Sequence, residues 1–385
     1  MRNGLMYVML IFVVLGLLVS PVAARELSNY ELLERITALE SQLSADSAVN
    51  EAGESSLDSW ANRITLSGAI EVEVGYEDID YDDPAENDED SSDISLATVE
   101  LGVDIAIVNH ISGSVLLLFE EGEGSIDVDE AFILYDGEED SPLFARGGMF
   151  YVPFGDFSSN MISDPLTLEI GETRDSALEV GFTQGGFYSS VYVFNGDIDE
   201  AGDDSQIDNF GVNVGYGMEN DDFSMDLGMC YINNILDSDG LGDAFEDAMA
   251  EAEETGDTLE LDEYVGGFGA HVVVGAAGFT VIGEYIAAMD DPEYILNGVK
   301  GEVEAFSAWN MEVGYTFEVS GKETTVAVAY QGSDDAADFI PETRYMGVVG
   351  IGVLEGTSLA LEYLHDEYEN DDEADVITAQ LAIEF

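Results

Sequence analysis

Apolar and polar residues alternate along many segments of this chain. In the stretch "RITLSGAIEVEVGY", Leu66, Ile70 and Val72 fall on one face of an extended strand, whereas Glu71 and Glu73 fall on the other. This follows because successive side chains of a strand point to opposite sides. The last eleven residues, "DVITAQLAIEF", repeat the pattern and end on an aromatic side chain. The alternation predicts β-strands rather than helices.

The same pattern predicts sixteen strands. They cover 62–77, 93–107, 111–120, 126–135, 142–152, 176–184, 186–195, 206–217, 222–233, 263–274, 277–288, 304–317, 323–331, 342–354, 357–367 and 374–385. Most are as long as a tilted strand must be to cross a bilayer, about 9–11 residues. Short connections such as 183–186 alternate with longer acidic ones such as 77–93. An even number of strands joined in this way is typical of an outer-membrane barrel.

The polar face of the strands distinguishes a barrel from a soluble sandwich. In a sandwich the apolar face looks inward, but here the opposite face is small or acidic and offers nothing large enough to fill a core. We therefore predict an all-β fold, a transmembrane antiparallel β-barrel around a water-filled lumen, because a dry interior could not hold many carboxylates. The pore-lining candidates are Glu71, Glu73, Glu100, Asp104, Asp226, His271, Glu312 and Glu362.

Composition adds a strong charge to this picture. The chain carries 83 acidic residues against 9 Lys and Arg, a formal net charge of −74. Such acidity is common in disordered chains, but an aromatic content of 10% favours a folded protein. We interpret the acidity as a sign of a halophilic source, since concentrated salt shortens the range of charge repulsion. The single cysteine, Cys230, excludes an internal disulfide.

The first 61 residues are expected to lie outside the barrel. Residues 1–24 have a basic start, an apolar run and a small-residue site, which is the layout of a cleaved signal peptide rather than a retained anchor. Residues 25–45 contain apolar positions spaced 4, 3 and 4, which predict a short coiled-coil helix. This helix would either join subunits into a homotrimer or lie on the domain as an amphipathic helix. Residues 46–61 form a linker, and 62–385 the barrel.

Two long loops are candidates for a role at the pore. The third outer loop, 158–176, is long enough either to fold into the lumen or to cover the mouth. Its constriction candidates are Asp164, Glu169, Glu172, Arg174 and Asp175. In the fifth, 234–262, Leu241, Phe245 and Met249 recur every four residues and predict a short amphipathic helix across the mouth.

Signals for catalysis or a bound cofactor are weak. His110, His271 and His365 do not belong to a nucleophile motif or a zinc-ligand spacing. The stretches "DIDEAG" and "DSDGLG" fail the EF-hand pattern, so only diffuse binding of cations by acidic loops is expected. Nothing resembles a basic nucleic-acid surface. The sequence therefore predicts neither an enzyme nor a resident metal or cofactor.

Several features together resemble the LbtU family of siderophore porins. They are the "ELLERITALESQL" coil, the "YVPFG" strand end, the stretch "SDPLTLEIGETRDSALEVGF" and the final aromatic strand. The resemblance runs from about Glu31 to Phe385 and is most specific over 150–184. It implies passage of ferric siderophores through an outer-membrane barrel that has no plug domain. The acidic inner face departs from this expectation, because it should repel anionic ferric complexes.

Three functional hypotheses follow. The first is passive passage of ferric siderophores or similar small solutes, and the second is a general cation-selective diffusion porin. The third is a structural barrel that anchors the envelope. All three place the chain in the outer membrane of a Gram-negative bacterium, with lipid and the barrel-assembly machinery as partners. Phe385 is the expected assembly signal, since the machinery commonly recognises a terminal aromatic strand.

Overall fold

A computed structural model describes residues 62–82, 87–122, 125–137, 140–202, 206–336 and 339–385. The predicted signal peptide, coiled coil and linker fall within residues 1–61, which lie outside the described residues. A trimer formed through the coil therefore stays a prediction. Among the described helices, none combines the length and apolar character needed to cross a membrane.

Sixteen antiparallel strands close into one barrel. They are β1 (Ile64–Asp80), β2 (Glu89–Val108), β3 (Ile111–Glu120), β4 (Asp127–Asp136), β5 (Leu143–Tyr151), β6 (Arg174–Gln184), β7 (Phe187–Phe194), β8 (Asn209–Asn220), β9 (Phe223–Ile232), β11 (Gly267–Ala276), β12 (Phe279–Ala288), β15 (Ser307–Val319), β16 (Lys322–Asp334), β17 (Thr343–Leu354), β18 (Thr357–Glu367) and β19 (Glu373–Glu384). The predicted fold class and the predicted number of strands are confirmed.

The last strand closes the ring by pairing with the first. β19 runs antiparallel to β1 in a continuous register from Ala69 opposite Glu384 to Asp80 opposite Glu373. Beyond the strand, Gly68 and Phe385 exchange both of their backbone hydrogen bonds at 3.1 Å. The alternating stretch at 375–385 therefore contributes the strand that leaves this sheet without a free edge.

Alternation along each strand sorts side chains to two sides of the wall. On β15, Met311 and Val313 are exposed on the outside, whereas Asn310 and Glu312, which alternate with them, are buried inside. Rings pair on the outer surface near both ends of the strands, such as Phe279 with Tyr315 and Tyr330 with Tyr345. An apolar band flanked by aromatic residues is the outer surface of a membrane barrel.

The connections differ in length at the two ends of the barrel. At one end, tight turns of two residues place His110, Ala277 and Ser320 at positive φ. At the other end the loops are longer, and the loop between β5 and β6, residues 152–173 (L3), contains helix α1 (Leu166–Gly171). The loop between β9 and β11, residues 233–266 (L5), contains a short 3-10 helix (Ile235–Asp237), helix α2 (Asp239–Thr255) and strand β10 (Leu259–Leu261).

Helix α2 is the amphipathic helix predicted in the fifth loop, and it packs against α1. Leu241 and Phe245 pack on the hydrophobic core, but Met249 is 39% exposed, so only part of the predicted stripe is used. Strand β10 also pairs with β13 (Glu293–Leu296), which pairs with β14 (Val299–Glu302). The sequence pattern did not predict this small sheet.

A hydrophobic core fills part of the interior next to the loops. Phe150, Phe154, Leu166, Ile170 and Ile286 are each at most 1% exposed and belong to one buried cluster. The expectation that the inner face carries nothing large enough to fill a core is therefore wrong near the long-loop end. There the inward residues are apolar because L3 and L5 cover them, so this part of the interior excludes water.

Candidate functional site: the lumen and its constriction loop

Between L3 and the barrel wall lies a cavity of about 1730 Å³. Its lining includes nineteen Asp and Glu residues but only three arginines, Arg146, Arg174 and Arg344. Carboxylates are therefore the dominant charge on the described surface of this cavity. Glu71, Glu100 and Asp226 are among the lining carboxylates that the alternation of their strands directs inward.

Six of the eight predicted pore-lining residues reach this cavity. Glu71, Glu73, Glu100 and Asp104 lie on neighbouring strands β1 and β2, and Asp226 and His271 lie on β9 and β11. The Gln380 amide on β19 donates to Glu73 at 3.0 Å and to Glu71 at 3.4 Å. The Gln380 amide is neutral, so this contact does not neutralise either carboxylate.

Glu312 and Glu362 are not part of the open lining, contrary to the prediction. They are 2% and 1% exposed because L3 lies directly on them. Glu312 accepts hydrogen bonds from the Asn160 backbone at 2.8 Å and from the Ser159 hydroxyl at 2.9 Å. Their inward direction was predicted correctly, but their carboxylates are occupied by the loop.

Glu362 holds the next part of the loop. It accepts the backbone N–H of Ile162 at 2.6 Å and that of Ser163 at 3.2 Å, together with the Ser163 hydroxyl at 2.6 Å. An apolar contact supports it, since Met161 packs against a small buried cluster that includes Met346. L3 is therefore fixed to β15 and β18 by carboxylates that accept several hydrogen bonds each.

A third anchoring carboxylate, Glu284 on β12, was not among the predicted site residues. It accepts the backbone N–H of Asp156 at 2.7 Å and of Phe157 at 3.2 Å, and the Thr167 hydroxyl at 2.7 Å. The Gln331 amide on β16 accepts the Leu166 N–H at 2.9 Å. The alternation places Glu284 inside the barrel, which was the only signal available in the sequence.

The constriction-loop candidates separate into two groups. Asp164, Glu169 and Glu172 belong to L3 and line the cavity. Arg174 and Asp175 do not belong to the loop, because β6 begins at Arg174 rather than at the predicted residue 176. The strand is longer because Arg174 pairs with Tyr151 of β5 and Asp175 pairs with Phe150.

Arg174 and Asp175 make structural contacts at the rim. Arg174 donates to Asp129 on β4 at 2.7 Å, and Asp175 accepts the Gly196 N–H at 2.9 Å. Asp175 does not line the cavity. Arg174 therefore joins β6 to β4, and Asp175 joins β6 to the loop that follows β7.

The other two lining arginines are also paired. Arg146 donates to Glu179 at 2.9 Å, and both side chains are less than 10% exposed. Arg344 binds Asp366 with two nitrogen atoms, at 2.7 Å and 2.8 Å. Each arginine in the lining thus neutralises one carboxylate, and the remaining carboxylates set the charge of the cavity.

The titration of Asp164 in L3 is perturbed. It is open to lumen water, yet protein surrounds it on most sides, and this burial together with Glu169 and Glu120 raises its pKa to about 6. Arg344 opposes the shift, and it also donates to the Asp164 carbonyl at 3.3 Å. The charge of this loop residue therefore changes just below neutral pH.

One group of side chains in the lumen could hold a metal ion. Asp156 of L3, Asp226 of β9 and His271 of β11 each offer a ligand atom within 4.8 Å of the other two. His271 Nε2 lies 2.9 Å from Asp226 and 3.9 Å from Asp156. Sequence spacing gave no sign of this group, because the three residues come from elements far apart in the chain.

No known family model matches the chain. The chain is 26% identical over 318 residues to a UPF0422 protein of Coxiella burnetii, and the match covers 79% of this chain and 64% of that protein. It is 26% identical over 326 residues to a UPF0422 protein of Legionella pneumophila strain Lens, and this match covers 79% of this chain and 59% of that protein. The chain thus spans about three fifths of the length of these relatives.

Solved structures, among them that of an outer-membrane channel, share the fold. The DcaP channel of Acinetobacter baumannii superposes with a TM-score of 0.56 at 14% identity, over 84% of this chain and 97% of that one. OprB of Pseudomonas putida superposes with a TM-score of 0.55 at 11% identity, over 84% of this chain and 94% of that one. OmpF of Salmonella typhi superposes with a TM-score of 0.51 at 10% identity, over 84% of this chain and 97% of that one. The described chain therefore has a porin-like fold.

Proposed function

We propose that this chain is a passive outer-membrane channel for small solutes, with a preference for cations. The observation that carries the proposal is L3, which is fixed inside the barrel by Glu284, Glu312 and Glu362 and leaves a carboxylate-lined cavity beside it. A loop held in this way narrows a lumen without closing it. Carboxylates that line a confined path raise the local concentration of cations and lower that of anions.

The outer surface supports a position in the outer membrane. Leu178, Met311 and Val328 are 64%, 62% and 63% exposed on the outside of the wall, where lipid chains would cover them. Burial of apolar surface away from water is the main stabilising contribution for such residues. Lipid, permeating cations and small neutral solutes are the partners that this geometry favours.

The experiment is a measurement of current through the refolded chain in a planar bilayer under a KCl gradient. A steady current is expected, with a reversal potential of the sign that a cation-selective pore produces. An anion-selective current would contradict the proposed role of the carboxylates. A membrane without current, although the protein is inserted, would favour the alternative of a structural barrel.

A narrower proposal is that the solutes include ferric siderophores. Its support is the resemblance to the LbtU family, whose most specific stretch, 150–184, contains L3 with helix α1, and strand β6. These segments touch the proposed permeation path. Reversible block of the current by one ferric siderophore would support this substrate, whereas a current unaffected by any siderophore would leave the general cation channel.

A further inference from the structure

We propose that Asp156, Asp226 and His271 form a binding site for a divalent first-row transition-metal ion, and that the ion joins L3 to the barrel wall. The inference concerns binding and does not depend on the proposed channel activity. Asp156 belongs to the loop, whereas Asp226 and His271 belong to strands β9 and β11. An ion held by all three would therefore be a link between two parts of the molecule.

The distances are close to those of a metal site. Ligand bonds of about 2.0–2.2 Å in a tetrahedral arrangement separate neighbouring ligand atoms by roughly 3.3 Å. The two distances from His271 Nε2, 2.9 Å and 3.9 Å, lie on either side of this value. Small side-chain rotations would bring both carboxylate oxygens to it, and the ion would then replace the hydrogen bond between His271 and Asp226.

The packing around the histidine makes room for its ring. His271 pairs across the sheet with Gly228 on β9, and a Cβ at residue 228 would overlap the imidazole. The ring thus lies over a glycine and points Nε2 at both carboxylates. Its side chain is 11% exposed, so most of its surface is covered while the ligand atom still faces the cavity.

Other groups hold the two carboxylates in place. The Tyr188 hydroxyl donates to Asp226 at 2.8 Å, and the Ser158 backbone N–H donates to Asp156 at 3.3 Å. The Ser158 hydroxyl donates to the same Asp156 oxygen. Supporting hydrogen bonds of this kind orient the ligands of protein metal sites, and here both carboxylates have one.

The charge at this position also favours a cation. Within the described chain, the ion pairs give Asp156 and Asp226 no partner other than His271. Glu284 lies opposite His271 in the adjacent strand, and the Asp156 backbone N–H donates to its carboxylate. Three carboxylates therefore surround one imidazole, in contrast to the arginine-paired carboxylates elsewhere in the lining. A divalent ion would offset two of these three negative charges.

The same row of inward side chains contains a further polar group. Asn310 on β15 lies opposite Glu284 and is 1% exposed, and neither its amide nitrogen nor its amide oxygen has a hydrogen-bond partner among the described residues. A buried amide in this situation usually binds a water molecule. The neighbouring inward side chains of His271, Glu284 and Asn310 are thus polar enough to hold a hydrated ion.

The chemistry of the ligands selects the class of ion. Imidazole binds zinc, iron, copper and nickel well, whereas calcium and magnesium prefer oxygen ligands alone. One imidazole with two carboxylates therefore favours a transition metal. The ion has an access route, because all three side chains line the cavity.

The test is a calorimetric titration of the folded full chain with ZnCl2 in excess Mg2+, which occupies the diffuse carboxylate sites. One zinc ion per chain is expected to bind. His271→Gln, Asp226→Asn and Asp156→Asn should each weaken binding at least about tenfold, because loss of a direct ligand should cost no less than loss of an outer partner.

His365→Gln is the matched control. The Nδ1 of His365 lies 2.9 Å from an Asp375 oxygen and its Nε2 lies 3.6 Å from a Glu367 oxygen. Because His365 lies outside the proposed group, zinc binding should be unchanged in this variant. Zinc binding that survives both His271→Gln and Asp156→Asn would overturn the proposal. Asp156 lies in a loop, so its variant provides the test even if a change in strand β11 prevents folding.

Hydrogen exchange tests the link between loop and wall. Zinc should slow exchange of the backbone amides around residues 155–158 in the wild-type chain but not in His271→Gln. If zinc binds to the wild-type chain without changing exchange in this segment, the ion does not join L3 to the wall, and that part of the proposal is wrong.

Discussion

The Glu362 carboxylate on β18 accepts the backbone N–H of Ile162 in L3 at 2.6 Å, although 200 residues separate the two in the chain. Glu312 and Glu284 make equivalent contacts with earlier parts of the loop. Three strand carboxylates therefore determine the path of L3 through the barrel. A carboxylate suits this role because it accepts several hydrogen bonds at once.

Replacement of Glu362 by alanine should loosen L3 without unfolding the barrel. The variant leaves the half-buried N–H groups of Ile162 and Ser163 without their acceptor, at a cost of about 1 kcal/mol each, the lower end of the range for an unsatisfied group. Faster hydrogen exchange over 158–164 and noisier single-channel current are expected. Glu100→Gln on β2, a lining carboxylate that does not anchor L3, is the control and should leave exchange unchanged. Equal exchange in the two variants would contradict the anchoring role.

Neutralisation of Glu71 and Glu73 together should lower cation preference. Both carboxylates line the cavity, and both accept a hydrogen bond from the neutral Gln380 amide. The change in reversal potential should be larger at 0.01 M salt than at 1 M, because the screening length falls from about 30 Å to about 3 Å. Asp175→Asn, which removes one carboxylate outside the cavity, should have little effect. A salt-independent change would argue against an electrostatic cause.

Acidification should reduce cation preference between about pH 7 and pH 5. Burial raises the pKa of Asp164 to about 6, above its ordinary value, so its charge is present at neutral pH and disappears as the pH falls through 6. The charged groups facing it are Glu73, Glu120, Glu169 and Arg344.

The reversal potential measured against pH in wild type and in Asp164→Asn checks this prediction. Cation preference should fall less between about pH 7 and pH 5 in the variant than in wild type. Asp237→Asn is the control, because burial also raises the pKa of Asp237 to about 6 but this residue does not line the cavity. Folding stability should change with pH in the opposite direction to cation preference. Since the folded pKa is raised, ionised Asp164 disfavours the folded loop, and stability should rise as the pH falls from about 6 towards 4.

Ile170→Ala should destabilise the loop region by about 2–5 kcal/mol, the usual range for truncation of a buried aliphatic side chain. Ile170 on α1 is completely buried in the cluster that contains Phe154 and Ile286. Limited proteolysis of L3 should become faster. Leu178→Ala on the lipid-facing side of β6 is the control and should leave L3 protected. Cleavage at the wild-type rate would mean that α1 does not depend on this core.

An arginine should be tolerated inside the wall but not outside it. Val328→Arg would place a charge on the exterior of β16, where Val328 is 63% exposed, at a cost of about 2–4 kcal/mol near the bilayer centre. Thr325→Arg on the same strand would face the cavity. Folding yield in lipid vesicles should fall only for Val328→Arg. A lower yield for Thr325→Arg alone would reverse the assignment of inside and outside.

The sequence by itself determined the strands and the side of the wall that each residue faces. A period of two is a local property, so the alternation around Met311 and Glu312 fixes their directions before any strand pairs with another. The number of strands and their closure into a barrel follow, because long strands with alternating connections leave few other arrangements.

Only the tertiary structure decided what the inward residues do. Glu71 and Glu312 have the same pattern in the sequence, yet one lines the cavity and the other is covered by L3, because the path of that loop depends on contacts with distant strands. The same reason explains why Asp156, Asp226 and His271 could not be grouped from their spacing. Periodicity specifies a direction for each side chain, but the closure of the barrel around its loop determines the neighbours that the side chain meets.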